Sequence, residues 1–376
     1  MVFDELKEKV TPKDPSRETS PNRGTSLPQN DAIPADRKGL REWQAEVNID
    51  RDAQIRLTRV AHMRYQHPDL EEITTFLKDF GMTVAKKTDT QRWFKGYGTD
   101  PYVYYAQKGE KEFLGGTFEV ESHAELEKAT KLAGASPILD LASPSSGASA
   151  PGGGSMVTLT DPEGFPINLI HGQTKSAGGP FPEVLTTNYE TQKPRVARFQ
   201  RFKPGPAAVH KLGHYGLCVK DFPTQLDWYV RTFNLAPTDF LYVEDGDGAD
   251  DPGRRKDVAV FCHIDIGEEY TDHHTFFMSG NPTAHVHHCS FEVHDFDTQN
   301  LGHEWLAGKG YTSVWGVGRH ILGSQLFDYW WDTTGNMVEH YADGDLVNED
   351  TPVGWGKAGD ESLAVWGPEV PSWFLN

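Results

Sequence analysis

The stretch KLGHYGLCVKDFPTQLDWYVRTFNLAPT, residues 211–238, begins as a short strand that holds one His and continues after DFP as a helix. Apolar residues at steps of three and four predict that this helix buries one face; they are Leu226, Tyr229 and Phe233. An earlier stretch, RVAHMRYQHPDLEEITTFLKDFGMTV, residues 59–84, has the same order of features. Its helix carries Leu70, Ile73 and Leu77 at equivalent steps.

A second pair of stretches extends this repeat. The FEV strand occurs in LGGTFEVESHAELEKA, residues 114–129, and again in HHCSFEVHDFDTQNLGHEWL, residues 287–306. A turn and a last strand follow as LTDPEGFPINLIHG, residues 159–172, and as WDTTGNMVEHYADG, residues 331–344. Such self-similarity predicts a duplicated α+β module of roughly 120 to 150 residues.

The segments outside the repeat differ in composition from the modules. Residues 1–50 are rich in Pro, Ser, Asn and Asp, a composition that buries too little apolar surface to fold alone. The sequence therefore predicts five parts: an extended N-terminal arm at 1–50, a first, non-catalytic module at 55–175, a Pro-rich connector at 176–208, a second, metal-binding module at 209–345 and a C-terminal tail at 346–376.

Bulk composition excludes several classes of protein. The chain of 376 residues has a formal net charge of −19, which argues against nucleic acid or an anionic membrane surface as a partner. We find no apolar run of about 18 residues that would span a membrane, and the start MVFDELKEKV lacks the apolar core of a signal peptide. The three cysteines have no paired spacing, so we expect a reducing, cytoplasmic location.

Metal-ligand residues occur in only one copy of the repeat. The second copy has three of them on three predicted strands: His214, His288 and Glu339. The matching positions in the first copy hold His62, Gly115 and Asn168. A structural need of the fold would appear in both copies, whereas a chemical need can be confined to one.

Two imidazoles and one carboxylate with open positions are typical of the facial triad of non-heme Fe(II). Strand alternation places His288 on the face opposite Phe291, so the His face is free to line a cavity. Each residue also has an ordinary alternative: a His at a strand start is often a satisfied polar residue, and Glu339 could lie on an exposed face. Four aromatic residues suit an apolar pocket or, equally, the sheet core: Trp315, Trp330, Trp331 and Phe276.

Four stretches of the second copy resemble the catalytic domain of type I extradiol ring-cleavage dioxygenases, in the vicinal oxygen chelate superfamily. GRHILGSQLFDYWWDTTGNMVEHY, residues 318–341, is similar to that family's signature, with its His, Tyr and Glu in register. GHYGL and VHHCSF resemble the strands of the first two ligands, and FCHIDIGEEYTDHHTFF resembles the strand with an active-site His. Two positions depart from the signature, Asp328 for an apolar residue and Thr333 for Pro. The resemblance covers about residues 55–345.

The resemblance implies an α+β fold of tandem vicinal oxygen chelate modules, each made of paired βαβββ units. It implies a dioxygenase that cleaves a catechol beside its diol with O2, and that the three residues above bind Fe(II) or, as the alternative, Mn(II). It further implies that His274, with His273 as the alternative, is the base near the oxygen site. His320 would hydrogen-bond a substrate oxygen, and Tyr329 would be the hydrogen-bond donor or acid.

Two other functions remain open from the sequence. A metal-dependent isomerase, lyase or thiol-transfer enzyme of the same superfamily generally uses four ligands, and His320 and Tyr329 would then be surplus. A non-enzymatic protein that binds aromatic compounds on this fold need not keep those two residues. For the dioxygenase we expect a catechol and O2 as partners, no nucleic acid or membrane, and a homo-oligomer.

Overall fold

Two large sheets that repeat one strand order dominate the structure. The computed structural model describes residues 36–143, 149–244, 255–360 and 363–374. Residues 245–254, most of the acidic stretch EDGDGADDPGRRKD that separates the strands of His214 and His288, therefore lie outside the described residues.

The N-terminal segment packs against the second half. Residues 1–35 of the predicted arm lie outside the described residues, but the segment after them forms β1 (Asp36–Lys38) and α1 (Leu40–Glu46). Leu40 and Trp43 of α1 are buried in the core. This part of the predicted extended arm is therefore a strand and a helix, because two apolar side chains three residues apart give a short helix one buried face.

The first half contains two βαβββ units. One comprises β2 (Leu57–His67), α2 (Leu70–Asp79), β3 (Thr83–Lys87), β4 (Gln91–Lys95) and β5 (Tyr104–Lys108). The other comprises β6 (Glu112–Val120), α3 (His123–Ala129), β7 (Leu139–Asp140), β8 (Ser155–Thr160) and β9 (Pro166–His171). Their strands form one sheet in the order β3-β4-β5-β2-β6-β9-β8-β7.

The second half repeats this arrangement. Its first unit comprises β10 (Val209–Val219), α4 (Phe222–Thr232), β11 (Leu235–Glu244), β12 (Arg255–Ile264), the short β13 (Thr271–Asp272) and β14 (Phe276–Gly280). Its second unit comprises β15 (His285–Val293), α5 (Phe296–Gly308), β16 (Ser313–His320), β17 (Leu326–Trp331) and β18 (Met337–Ala342).

The C-terminal strands extend the second sheet at both edges. They are β19 (Leu346–Val347), β20 (Val353–Lys357) and β21 (Ala364–Trp366). The full order is β1-β20-β11-β12-β14-β10-β15-β18-β17-β16-β21, and β13 pairs with β19 separately. The central eight strands match the order of the first sheet, so the predicted α+β fold of duplicated, paired βαβββ units is confirmed.

Aspartates start the helices that were predicted from the repeat. Asp69 caps α2 by accepting hydrogen bonds from two backbone N–H groups, and Asp221 and Asp295 cap α4 and α5 by accepting one each. The predicted apolar positions of α2 are all buried, and in α4 Tyr229 is buried while Leu226 is half-buried.

The core is continuous between the halves. Phe80 of the first half stacks on His340 of β18 at 3.7 Å between ring centroids, and Tyr215 of β10 packs against Phe118 of β6. No helix among the described residues has the length and apolar character needed to cross a membrane.

Candidate metal centre and active site

Three side chains converge inside the second sheet. His214 lies on β10, His288 on β15 and Glu339 on β18, and all three are buried. His214 Nε2 is 3.1 Å from His288 Nε2 and 3.2 Å from Glu339 Oε2, and His288 Nε2 is 3.6 Å from Glu339 Oε2. Donors that share one ion at about 2.1 Å, at angles between 90° and tetrahedral, are about 3.0 to 3.4 Å apart. Two of the three distances lie in this range and the third is 0.2 Å longer, so small side-chain shifts bring the three donors to one divalent metal.

The strand register explains this convergence. Ser290 of β15 is opposite His214 of the antiparallel β10 and opposite Glu339 of the parallel β18. His288 precedes Ser290 by two residues and therefore shares its face of the sheet. Three neighbouring strands thus direct one ligand each to the same face.

Glu339 supports the presence of a cation. Its side chain is fully buried, and among the described residues none gives either carboxylate oxygen a hydrogen bond of good geometry. A buried carboxylate without compensation is strongly unfavourable. A divalent ion between Glu339 and the two imidazoles would supply the missing positive charge.

A hydrogen-bond chain fixes the orientation of His288. The backbone carbonyl of Phe374 accepts a hydrogen bond from His287 Nε2 at 2.8 Å. Because a neutral His287 then has only an acceptor at Nδ1, His288 Nδ1 donates to it across 2.6 Å. His288 Nε2 is left with its lone pair directed toward the other two ligands, the usual way in which an outer hydrogen bond sets the tautomer of a metal-binding His.

A similar chain lies behind His274. His273 Nε2 donates to Asp239 Oδ2 at 2.8 Å, and His273 Nδ1 is 3.1 Å from His274 Nδ1. With His273 Nδ1 as the acceptor, His274 Nδ1 donates this hydrogen bond, and His274 Nε2 carries a free lone pair. His274 lines the cavity with its ring 4.2 Å from that of His214, whereas His273 is not part of the cavity lining. The structure thus places His274, and not the alternative His273, beside the candidate metal ligands.

His320 and Tyr329 form a hydrogen-bonded pair at the same cavity. His320 Nδ1 donates to the backbone carbonyl of Leu363 at 2.8 Å, so its Nε2 accepts the Tyr329 hydroxyl at 2.9 Å. His320 Nε2 is also 3.9 Å from Glu339 Oε1. All three predicted catalytic residues, His274, His320 and Tyr329, therefore line one cavity with the predicted ligands His214 and His288.

Burial controls the protonation of these groups. Desolvation, followed by the neighbouring imidazoles, holds the pKa values of His274 and His288 well below the usual range. Burial also lowers the pKa of His320 and, together with Glu339, raises that of Tyr329 well above its ordinary value. At neutral pH the three rings are therefore neutral bases, and the phenol keeps its proton.

The cavity has a volume of about 240 Å³, and most of its lining beyond these groups is apolar. The aromatic side chains in the lining are Phe261, Phe277 and Phe374, and none of the four aromatic residues proposed from the sequence lines the cavity. Trp330 and Phe276 instead belong to the main core. For these two residues the core alternative therefore holds, because strand alternation directs their rings to the face opposite the cavity.

Asp328, which departs from the family signature, has its own partners. Although buried, it accepts hydrogen bonds from His303 Nδ1 at 2.9 Å and from Trp330 Nε1 at 2.7 Å. Burial raises the pKa of Asp328, while the hydrogen bond to Asp328 raises that of His303. The acidic residue is thus accommodated on the far side of β17 from the cavity.

The residues that the sequence did not reveal come from distant segments. Asp239 lies on β11, and Phe374 lies eight residues beyond the last strand. Phe374 packs 5.0 Å from Tyr329 and 4.8 Å from Trp315 between ring centroids. His287 was visible in VHHCSF, where a second His next to a ligand His is the available signal.

Known proteins share this architecture. No protein-family model matches the chain. It is 27% identical over 322 residues to metapyrocatechase 2 of Cupriavidus necator, a match that covers 84% of this chain and 91% of that protein. It superimposes on homoprotocatechuate 2,3-dioxygenase of Brevibacterium fuscum, solved with 3,4-dihydroxyphenylacetate, with a TM-score of 0.67 and 17% identity, over 86% of this chain and 93% of that one.

A third similar structure belongs to an enzyme with a different reaction. The Mn(II)-bound glyoxalase of Novosphingobium aromaticivorans gives a TM-score of 0.65 at 19% identity, over 84% of this chain and 95% of that one. The chain therefore has the vicinal oxygen chelate fold and resembles the extradiol dioxygenases within it. Since the same fold also serves a glyoxalase, the reaction has to be argued from the site.

Proposed function

We propose that the protein is an extradiol dioxygenase, which opens the ring of a catechol beside its two hydroxyl groups and incorporates both atoms of O2. His214, His288 and Glu339 would bind Fe(II), with Mn(II) as the alternative ion. The observation that carries the proposal is the convergence of these three side chains at an apolar cavity that His214 and His288 line together with His274, His320 and Tyr329.

A metal ion held by His214, His288 and Glu339 would supply a common binding place for a catechol and O2 and a route for electron density between them. The protein supplies the proton transfers. His274 Nε2 is a neutral base on the cavity side, so it can accept a proton from a catechol hydroxyl. The Tyr329 hydroxyl donates to His320 Nε2 and keeps its proton at neutral pH, so the pair can provide a hydrogen bond or a proton to a substrate oxygen.

The cavity walls have a separate role. The rings of Phe277 and Phe374 and the aliphatic side chains around them exclude water and hold a flat aromatic substrate. Exclusion of water also strengthens the hydrogen bonds of His274 and Tyr329 to the reacting oxygens.

An isomerase or lyase of the same superfamily is the second candidate, because of the structural likeness to a glyoxalase. The ligand set argues against it: among the described His, Cys, Asp and Glu side chains, three converge here and no fourth joins them. The His320–Tyr329 pair also has an evident role in a dioxygenase. A non-enzymatic aromatic-binding protein is disfavoured by the same pair.

The remaining expectations concern context. We expect O2 and a small catechol as partners and a homo-oligomeric assembly. All three cysteines are buried free thiols, in keeping with a cytoplasmic location.

The proposal is tested by metal content together with turnover. Protein purified without air is analysed for Fe and Mn, and O2 uptake and the yellow ring-opened product are then followed with a panel of simple catechols. One equivalent of product per O2 consumed supports the dioxygenase. Bound metal without O2 uptake on any catechol favours the isomerase or lyase, and the absence of bound metal contradicts both enzymes.

A further inference from the structure

The part of the cavity wall that the His and Tyr side chains do not form is largely apolar and carries no charge. It is built from Leu241, Ala259, Phe277, Leu322, Leu363 and Phe374. Two apolar clusters support it: Leu241, Ala259 and Leu322 pack together on one side, and Phe374 packs with Trp315 and Tyr329 on the other. This part of the cavity would receive whatever substituent a catechol carries.

Charged side chains are missing from this lining. Among the described residues that line the cavity there is no Lys, Arg, Asp or Glu, and the polar groups beyond the His and Tyr side chains are those of Ser279 and Gln325. Neither of these carries a charge. A carboxylate substituent on the substrate would therefore lose its water without gaining a cation.

The nearest cations along the chain point elsewhere. In the described part of the sequence, Arg319 immediately precedes the lining residue His320, and Lys357 precedes Ala358. Both cations form ion pairs outside the cavity. Arg319 pairs with Asp343 at 3.0 Å, and Lys357 pairs with Glu244 at 3.1 Å. Neither lines the cavity.

The volume allows more than an unsubstituted ring. A dry cavity of about 150 Å³ is enough to admit benzene, and this cavity measures about 240 Å³. A catechol bound at the three ligands therefore leaves space along the apolar wall for a short alkyl chain or a fused ring. Burial of such a group against aliphatic and aromatic side chains is favourable, whereas burial of an unpaired carboxylate is strongly unfavourable.

We infer that the site selects catechols with neutral, apolar substituents and rejects catechols that bear a carboxylate. This inference rests on the proposed ring-cleavage function and names its substrate class. It also identifies the neutral wall around Leu363 as a determinant of specificity.

A matched pair of substrates tests the inference. 4-Isobutylcatechol and 3,4-dihydroxyphenylacetate have nearly the same shape and differ chiefly in charge. With the Fe(II)-loaded protein, kcat/KM for the neutral compound should exceed that for the carboxylate by about 100-fold or more. Calorimetric titration of the same protein without O2 should give the same order of affinities, which provides a readout independent of turnover.

A charged variant should weaken the preference for the neutral catechol over the carboxylate. Leu363→Arg places a cation in the wall and keeps the backbone carbonyl that accepts from His320, so it should narrow the kcat/KM ratio by about tenfold or more. Leu132→Arg adds the same charge at an exposed position of the first half and should leave the ratio unchanged. The parent comparison needs neither variant, so a Leu363→Arg protein that fails to fold does not prevent the test.

The outcomes separate the inference from the proposed function. Equal use of both compounds, or preference for the carboxylate, overturns the inference and leaves the dioxygenase intact. Tighter binding of the neutral catechol without cleavage supports the inference and contradicts the dioxygenase. If the Fe(II)-loaded protein neither binds nor cleaves either compound, both fail.

Discussion

The two halves of the molecule have the same strand register and different chemistry. His214, Ser290 and Glu339 lie opposite one another in the second sheet, and His62, Thr117 and Asn168 do so in the first. In the first half, side chains of the protein itself occupy the place that matches the candidate metal site. Asn168 accepts from Thr158 at 2.7 Å and donates to the Leu114 carbonyl at 2.9 Å.

The position that matches His288 shows why the first half cannot hold the triad. Gly115 has a φ of +102°, and a Cβ atom there would lie 2.5 Å from the Pro166 carbonyl oxygen and 2.6 Å from Asn168 Nδ2. A His at this position would displace the strand beside it. The comparison teaches that the fold itself requires neither Glu339 nor His288, since Asn168 and Gly115 stand at the matching positions of the same strand register.

The largest expected effect is the loss of bound metal, which substitutions in the second half should cause and a matched substitution in the first half should not. His214→Ala, His288→Ala or Glu339→Ala should each lose most of the metal, from about one ion per chain in the parent, because two donors bind a divalent ion poorly. His62→Ala is the matched control in the first half and should keep the parent's content. Metal analysis of protein purified without air decides, and a Glu339→Ala protein with full metal would contradict the assignment.

The next effect concerns turnover with the metal retained. His274→Phe or Tyr329→Phe removes a proton-transfer group without removing a ligand, so each should keep its metal and slow ring cleavage by about 100-fold or more. Thr158 is the counterpart of Tyr329 in the first half, since Thr158 lies opposite Asn168 as Tyr329 lies opposite Glu339. Thr158→Val should therefore cleave catechol at the parent's rate. Parent-like turnover in both His274→Phe and Tyr329→Phe would show that these roles are wrong.

The fold was largely predictable because local signals repeat. Each half has a strand with a His, an Asp-capped helix, an FEV strand and a turn before a last strand, and the same signals gave the alignment of His62 with His214. That alignment agrees with the register of the two sheets. Residues 36–50 were misjudged because the partner surface of α1 is formed by distant residues, which composition does not show.

The candidate site was predictable where its residues lie on repeated strands or in stretches that resemble the family signature. The three candidate ligands stand out because the first half lacks two of them. Phe374 and Asp239 could not be found this way, since neither has a counterpart in the first half and both act through contacts between segments far apart in sequence. The sequence could not separate cavity aromatics from core aromatics, because one residue of shift along a strand exchanges the core and cavity faces.

A smaller effect is expected on stability. The three donors converge without a protein cation, so metal binding to the folded state should contribute to its stability. Removal of the metal with a chelator should lower the melting temperature of the parent by roughly 5 °C at neutral pH, if the ion is present at about 100 times its dissociation constant. Glu339→Gln should melt close to the metal-free parent and gain much less from added metal. An unchanged melting curve after verified loss of metal would mean that Glu339 is stabilised in another way.

The smallest effect tests a difference between the halves that lies away from the metal. His67, at the end of β2, is fully buried and contacts the Thr334 hydroxyl at 2.7 Å and the Tyr104 hydroxyl at 2.9 Å. Burial, with a smaller contribution from Lys111, lowers the pKa of His67 to about 4. The matching position at the end of β10 is Val219, which does not titrate.

The sign of the resulting pH dependence follows from proton uptake. The unfolded chain protonates His67 near pH 6.5, whereas the folded protein resists protonation until about pH 4. Stability from the neutral ring is therefore fully present above pH 6.5 and decreases as the pH falls from 6.5 to 4. His67→Gln removes this titration, so its free energy of unfolding should fall less than the parent's between pH 7.5 and 4.5, by about 2 kcal/mol. Urea unfolding at both pH values, with chelator in all samples so that the ligand histidines titrate alike, measures the difference. Parallel losses in parent and variant would show that His67 takes up its proton in the folded state as readily as in the unfolded chain.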